Sequence, residues 1–352
     1  MFLRPANVPR TLLLLMTLAG TMLPRIAMAG SCKTQSQMTS AQRDALASAA
    51  RTMVGEVQTG NVVALRANTI PALAADFGGI ADLVQTLKPL VQQAAITVDS
   101  LYALDASGES AAGARTDFYC GTPVVVLDFN NLPPGSYALA ILHATGVPQP
   151  QQIALILSET PEHRWMLGNF FSKPILETGH DGLWYWVSAR NYAQKNMNWD
   201  AWFYYKIAAN FLDPVEFLSS PNLDKLQHEQ ERVHPTNLPA PQQPLMIGAH
   251  GSVFQVTAID TTATFGALDL EVHYTPDAAQ AAQLHDPPTA RKQVTALMTS
   301  LLAAHPELHE AFHGVWVLAD GGSASLFSLE LPMDQIGPWA QPTATSSSSL
   351  VR

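Results

Sequence analysis

Apolar residues along this chain of 352 residues follow a helical spacing first and a strand spacing afterwards. Up to about residue 93 they recur every three to four positions, which predicts helices, and from residue 95 they alternate with polar ones, which predicts strands. The predicted helices are 43–57, 62–73 and 80–93, and the predicted strands are 95–104, 117–129, 136–145, 152–158 and 164–171. Three helices followed by consecutive antiparallel strands predict an α+β domain over residues 39–174.

The remainder of the chain repeats this change of spacing. Residues 181–233 have helical spacing and predict a helical hairpin with a polar extension, and the Pro-rich residues 234–244 predict a linker. Residues 245–335 predict a small α+β domain in the order ββαββ, and the Ser/Thr-rich residues 336–352 predict a disordered tail. The elements of the small domain are strands 252–260 and 267–274, helix 288–304, and strands 314–319 and 323–331.

The first 29 residues have the pattern of a secretory signal peptide. Arg4 and Arg10 precede an apolar stretch over 11–23, and small residues before Gly30 predict cleavage after Ala29. The stretch is shorter than the roughly 20 residues that cross a bilayer, and no later segment is long enough, so no integral membrane span is expected. This predicts a periplasmic or extracellular protein, with a lipoprotein modified at Cys32 as the alternative.

The charge balance of the chain narrows the classes of partner. The chain has 19 basic and 29 acidic residues, which argues against a nucleic-acid partner.

Cys32 and Cys120 are its two cysteines, and in an oxidising compartment they can form a disulfide that attaches the N-terminus to a strand. The alternative is a lipidated Cys32 with Cys120 as a buried thiol.

Two stretches of the first domain resemble the nuclear transport factor 2-like superfamily, in which a cone of helices packs on a strongly curved sheet. Residues 58–65 (QTGNVVAL) resemble the start of its second helix, and residues 163–170 (HRWMLGNF) resemble its last strand. The superfamily includes isomerases, cyclases, dehydratases and many binding modules. The resemblance therefore implies a pocket at the open end of the cone and no particular reaction.

Aromatic residues are the candidates for such a pocket. Alternation places His143 on one sheet face, while Tyr102, Tyr119 and Trp165 lie on neighbouring strands. If all four line the cone, they form an aromatic pocket with one titratable group, suited to a small apolar ligand or to proton transfer. The alternative is that His143 is a hydrogen-bonded core residue.

The helical hairpin at 181–213 resembles a single tetratricopeptide unit. Small residues at 189, 201 and 208 allow two helices to approach closely. One such repeat cannot bury its own apolar face, so the hairpin must pack on a neighbour or on another protein. Four of the seven tryptophans lie here and predict a protein-docking face, with an ordinary core as the alternative; they are Trp184, Trp186, Trp199 and Trp202.

Residues 309–313 match the H-E-x-x-H pattern of zinc hydrolases. In those enzymes the two histidines bind Zn²⁺ from one face of a long helix and the glutamate activates a water. Here His309, His313 and Glu310 would take these roles. Pro306 and Gly314 leave room for a very short helix only, and a third ligand would have to come from Glu330 on a strand. We therefore expect no metal here, with adventitious binding and a zinc hydrolase as alternatives.

Taken together, these patterns favour an exported, non-enzymatic binding or interaction protein without a cofactor. Its expected partner is an envelope protein or peptide, with a small apolar ligand in the cone as a further possibility. The chain has no G-x-S-x-G, Walker or dinucleotide-binding motif and no C-x-x-C. An isomerase or dehydratase-type enzyme using the cone pocket is the alternative that stays open.

Overall fold

The computed structural model describes residues 28–108, 115–249, 251–322 and 324–337. The predicted leader up to residue 27 and the predicted tail beyond 337 lie outside the described residues. The fold is α+β, as the sequence predicts, with two main sheets.

The first part of the chain forms helices and then strands. Its elements are β1 (Met28–Thr34), α1 (Ser40–Thr59), α2 (Val62–Ala67), α3 (Pro71–Ala75), α4 (Gly78–Val91), β2 (Ala95–Asp105), β3 (Arg115–Cys120), β4 (Val125–Asn130), β5 (Ser136–Thr145), β6 (Gln151–Glu159) and β7 (Trp165–Pro174). The single helix predicted over 62–73 is wrong: it is two helices, because Pro71 begins a new one. The single strand predicted over 117–129 is also two, separated by a turn at Pro123, which has no N–H for a strand ladder.

The second part contains the predicted hairpin and a second sheet. Its elements are β8 (Leu176–Glu177), β9 (His180–Asp181), α5 (Gly182–Gln194), α6 (Asn198–Leu212), β10 (Leu218–Ser219), α7 (Pro221–Arg232), β11 (Leu245–Ala249), β12 (Ser252–Thr262), β13 (Asp269–Thr275), α8 (Ala278–Gln283), α9 (Pro287–Ala304), α10 (Leu308–Ala311), β14 (Gly314–Asp320) and β15 (Ser325–Pro332). The predicted ββαββ order therefore lacks β11 and two short helices, α8 and α10. This sheet has the order β11-β12-β13-β14-β15, with β13 and β14 parallel.

The larger sheet has eight strands in the order β10-β4-β3-β1-β2-β5-β6-β7. β1 lies inside it, antiparallel to β2 and parallel to β3, although its first two residues belong to the predicted leader. A Cβ at Gly30 would lie 2.2 Å from the ring of Phe118, so only glycine allows this close approach of β1. Cleavage after Ala29 would leave residues 30–34 in the sheet.

Cys32 and Cys120 form a disulfide that joins β1 to β3, with their Cα atoms 5.1 Å apart. The prediction of a bridge is confirmed, and the alternative of a buried free thiol is wrong because Cys120 is bonded. Among the described helices, none combines the length and the apolar character that crossing a membrane requires.

Three apolar cores hold the fold together. One face of the larger sheet, the helix-covered face, packs against α1 and α4 through residues such as Val54, Val84 and Leu155. The other face, the loop-covered face, carries Phe118 and Ile141 and is covered by the chain that follows α6. The third core is shared between the hairpin and the C-terminal sheet. The hairpin therefore packs on the neighbour that a single repeat requires.

Candidate functional site

A cavity of about 510 Å³ lies between the loop-covered face and the chain that follows α6. Strands β6 and β7 form one wall, and the end of α6 with the loop at 213–217 forms the other. The lining residues are Gln152, Ala154, Phe171, Ser172, Lys173, Ala209, Asn210, Asp213, Pro214, Val215, Glu216 and Phe217. A concave site of this size is ample for a small molecule.

Hydrogen bonds near each end of the loop at 213–217 hold the loop against the larger sheet. Pro214 cannot continue α6, so the chain leaves the helix at Asp213 in an extended conformation. Gln152 Nε2 donates to the carbonyl of Pro214 at 3.3 Å, and the carbonyl of Phe217 accepts from the Asp128 N–H at 3.0 Å. The chain then adds β10 to the edge of the sheet beside β4. The roof of the cavity is therefore fixed by one side-chain hydrogen bond and by backbone pairing.

Aromatic rings give the cavity an apolar side. The rings of Phe171 and Phe217 lie 5.7 Å apart, and Phe217 also contacts Phe129 at 4.8 Å. Ala154 and Val215 are buried among the neighbouring residues of the same core. An apolar ligand body placed here would replace water against these side chains.

Lys173 and Asp213 supply the polar side. Lys173 Nζ donates to the carbonyl of Asn210 at 2.5 Å and to that of Asp213, so it caps the C-terminal end of α6. Burial lowers the pKa of Lys173, and the charge of Asp213 opposes this shift. Burial raises the pKa of Asp213, against the effects of Lys173 and the Val215 N–H. Asp213 lines the cavity, and its Oδ1 is buried without a hydrogen-bond partner.

The four predicted pocket residues do not lie on one face of the sheet. Tyr102 belongs to the loop-covered face, and His143 points to the same side because Leu142 and Ala144 beside it are in the helix-covered core. Trp165 packs on the helix-covered face. Tyr119 is 56% exposed, since Phe118 and Cys120 on either side of it are buried. Alternation separates these side chains, and the cavity is lined by none of them.

The four predicted docking tryptophans divide between core and surface. Trp186 and Trp199 are buried, at 8% and 4% exposure, and Trp202 packs its ring 4.4 Å from that of His234. Trp184 remains 40% exposed, with its ring stacked on His180 at 3.6 Å. Because they are buried, Trp186 and Trp199 cannot contribute to a docking face. Of the four, Trp184 on α5 is the one that remains exposed.

The H-E-x-x-H motif does not form a zincin site. α10 ends at Ala311 and Phe312 is extended, so His309 and His313 are not one turn apart on a common helix. Glu310 is directed to Lys195, with 3.4 Å between Oε2 and Nζ. The helical arrangement that the zinc-hydrolase alternative needs is therefore absent from these described residues. His313 instead lies beside Asp269 and Glu330.

Searches of family models, of curated proteins and of solved structures find no match to this chain. The nuclear transport factor 2-like and tetratricopeptide-like resemblances therefore stay predictions.

The sequence patterns do not single out the cavity residues Lys173 and Asp213. The dipeptide Asp213-Pro214 signals a helix end, and nothing local shows that this end lies over β7. Asp269 was also missed, although it stands between Leu268 and Leu270 in an apolar strand. A single acid at such a position indicates that the carboxylate has a partner in the fold, because a buried carboxylate is costly without one.

Trp186 also contributes to a buried polar cluster around Glu229. Glu229 accepts from Trp186 Nε1 and Arg190 Nε at 2.7 Å each, and Arg190 also lies over the Trp186 ring. We expect Glu229→Gln to lower stability by about 2–3 kcal/mol, because Arg190 loses a charged partner in a partly buried setting. Thermal unfolding measures this. Glu231→Gln, an exposed change on the same helix, is the control, and equal melting temperatures for the two variants would contradict the assignment.

Proposed function

We propose that this chain is an exported, non-enzymatic binding protein whose ligand occupies the cavity beneath the loop at 213–217. The observation that carries the proposal is the combination of an aromatic wall with Asp213 Oδ1, a buried acceptor without a partner. Such a site has an apolar body and a few polar groups that orient the ligand. The disulfide supports export, because such bonds persist in oxidising compartments.

The polar groups define the chemical class of the ligand. Two N–H donors of Lys173 are used by backbone carbonyls, so its main role is to hold the end of α6. Asp213 Oδ1 needs a donor, since a buried acceptor without a partner costs about 1–3 kcal/mol. We infer a small, mainly apolar molecule with one N–H or O–H group directed to Asp213.

The lining gives no support to the enzyme alternative that uses His143. Its ionisable side chains are those of Lys173, Asp213 and Glu216, and His143 is not among the described lining residues. General acid–base catalysis by His143 would need that side chain within hydrogen-bond reach of the substrate. An envelope protein or peptide as the partner of the helical hairpin remains a prediction.

The test uses N-phenyl-1-naphthylamine, an apolar fluorescent amine with one N–H donor. We expect saturable binding to the purified chain and about tenfold weaker binding by Asp213→Ala, which removes one buried hydrogen bond. Ala209→Leu should also weaken binding, because it fills the cavity with a residue that suits the helix. Fluorescence titration gives the dissociation constants.

Glu216→Ala is the matched control, since Glu216 is an exposed acid at the rim of the same cavity. It should change the affinity less than twofold. The proposal fails if the dye does not bind saturably, or if Asp213→Ala and Ala209→Leu bind it as the control does.

A further inference from the structure

Three metal-ligating side chains converge at one edge of the C-terminal sheet, away from the cavity. Asp269 begins β13, His313 directly precedes β14, and Glu330 lies on β15. Their ligand atoms all lie within 4.8 Å of one another. Among the described residues, this is the one group of at least three His, Cys, Asp or Glu side chains that is close enough to hold an ion.

The backbone holds His313 in place from both sides. Its N–H donates to the carbonyl of Leu268 at 2.8 Å, and its own carbonyl accepts from the Met333 N–H at 2.8 Å. These contacts tie the residue to the start of β13 and to the end of β15. The imidazole Nδ1 lies 3.2 Å from Asp269 Oδ1. The three ligands are therefore presented by adjacent strands of a rigid sheet.

Gly314 makes room for the two carboxylates. A Cβ at this position would lie 2.8 Å from Glu330 Oε1 and 2.9 Å from Asp269 Oδ1. A larger residue would displace both acids from the point that they share. The missing side chain thus leaves a small space bounded by one carboxylate oxygen from each strand.

The burial of the Asp269 carboxylate indicates that a ligand binds at this position. Its side chain is fully buried, and Oδ2 has no hydrogen-bond partner. Asp269 Oδ1 and Glu330 Oε1 both border the position beside Gly314, and a cation between two carboxylate oxygens this close would stabilise both as anions.

We propose that Asp269, His313 and Glu330 form a binding site for a first-row divalent metal ion of the Zn²⁺ type. One imidazole nitrogen and two carboxylate oxygens are ligands that Zn²⁺ accepts, at bonds of about 2.0–2.2 Å. The imidazole disfavours Ca²⁺ and Mg²⁺, which prefer oxygen ligands alone. His313 is 56% exposed, so solvent reaches the site and water can complete the coordination. This site is independent of the cavity and of the proposed function.

The same sheet contains a matched control with the same three residue types. His273 Nδ1 contacts Asp320 at 3.1 Å, while its Nε2 contacts Glu271 at 2.9 Å. The two acids lie at different nitrogens of one ring and so do not converge on a point that an ion could occupy. His273→Ala therefore removes a surface His–Asp–Glu group without touching the proposed site.

The experiment measures Zn²⁺ binding by the full untagged chain after removal of metal with a chelator. A competing chromogenic chelator gives the stoichiometry and affinity, and Co²⁺ absorption reports the coordination. We expect one Zn²⁺ per chain, at least tenfold weaker binding by His313→Ala and Glu330→Gln, and no binding of Ca²⁺. His273→Ala and His309→Ala should bind as the parent does.

Three results would overturn the site. They are a parent chain that binds no Zn²⁺ at micromolar concentration, binding that survives both His313→Ala and Glu330→Gln, and binding that is lost in His273→Ala or His309→Ala. Glu330→Gln keeps the shape of the side chain, so circular dichroism and the melting temperature separate loss of metal from loss of fold.

Discussion

Reducing the Cys32–Cys120 disulfide is expected to lower the free energy of unfolding by about 4–5 kcal/mol. The bond closes a loop with a sequence separation of 88 residues, and the chain-entropy model gives a loss of this size for such a loop. β1 should be affected most, because it lies between β3 and β2 and is attached to the rest of the domain mainly through them. Denaturant unfolding with and without reductant measures the loss.

The Cys32→Ala/Cys120→Ala double variant is the control for the disulfide. It also loses packing, since Cys120 is fully buried, but its stability should not respond to reductant. Hydrogen exchange adds a local measurement: on reduction, amides of β1 should exchange faster while those of β12 in the other sheet stay protected. If reductant leaves the unfolding curve of the parent chain unchanged, the stabilising role of the bridge is refuted.

Asp200→Asn is expected to stabilise the protein increasingly as the pH rises from 4 to 8. Asp200 lies in the first turn of α6, is fully buried, and has no hydrogen-bond partner for either carboxylate oxygen. Burial, followed by the charges of Glu307 and Glu310, raises the pKa of Asp200 from 3.8 to about 8, against the effect of Lys195. The folded state therefore keeps a proton that the unfolded chain releases.

The direction of the pH effect follows from this difference. A carboxyl group with a raised folded-state pKa favours folding below its unfolded pKa, and the advantage is lost as the pH rises toward the folded pKa. The loss is about 1.4 kcal/mol per pH unit, on the order of 5 kcal/mol over the interval. Asp200→Asn does not titrate, so parent and variant should have similar stability near pH 4 and differ by several kcal/mol near pH 8.

Urea unfolding at pH 4, 6 and 8 tests this prediction. Asp224→Asn is the matched control, because Asp224 also lies in the first turn of a helix but is exposed. Its difference from the parent should stay within about 0.5 kcal/mol at each pH, as for most surface substitutions. Parallel pH profiles for the parent and Asp200→Asn would show that Asp200 carries its charge without penalty.

Elements with a strong local pattern were predicted closely. The strand predicted over 136–145 is β5 residue for residue, and the helix predicted over 288–304 differs from α9 by one residue. β1 was not predicted, because its first two residues belong to the predicted leader. The short helix α10 shows the opposite limit, since Pro306 and Gly314 correctly indicated that no long helix fits between them.

The candidate sites could be predicted only in part. His313 and Glu330 were considered together from the sequence, yet their third partner is Asp269 and not His309. Asp269 reaches them because β13 and β14 pair in parallel, a contact between segments 44 residues apart. Likewise, Trp186 was expected at a docking surface, and only the position of Glu229 on α7 shows that its indole N–H is satisfied in the interior.

The α+β class, the order of most elements and the one available cysteine pair follow from the amino-acid sequence, because apolar periodicity and a count of two cysteines are properties of the chain alone. The three-dimensional packing sets which sheet face each aromatic residue occupies, where the loop at 213–217 closes the cavity, and which acids meet His313. Strand register and the packing of distant segments set those positions, and a shift of one residue would exchange the two faces of a strand. Local spacing carries no information about that choice.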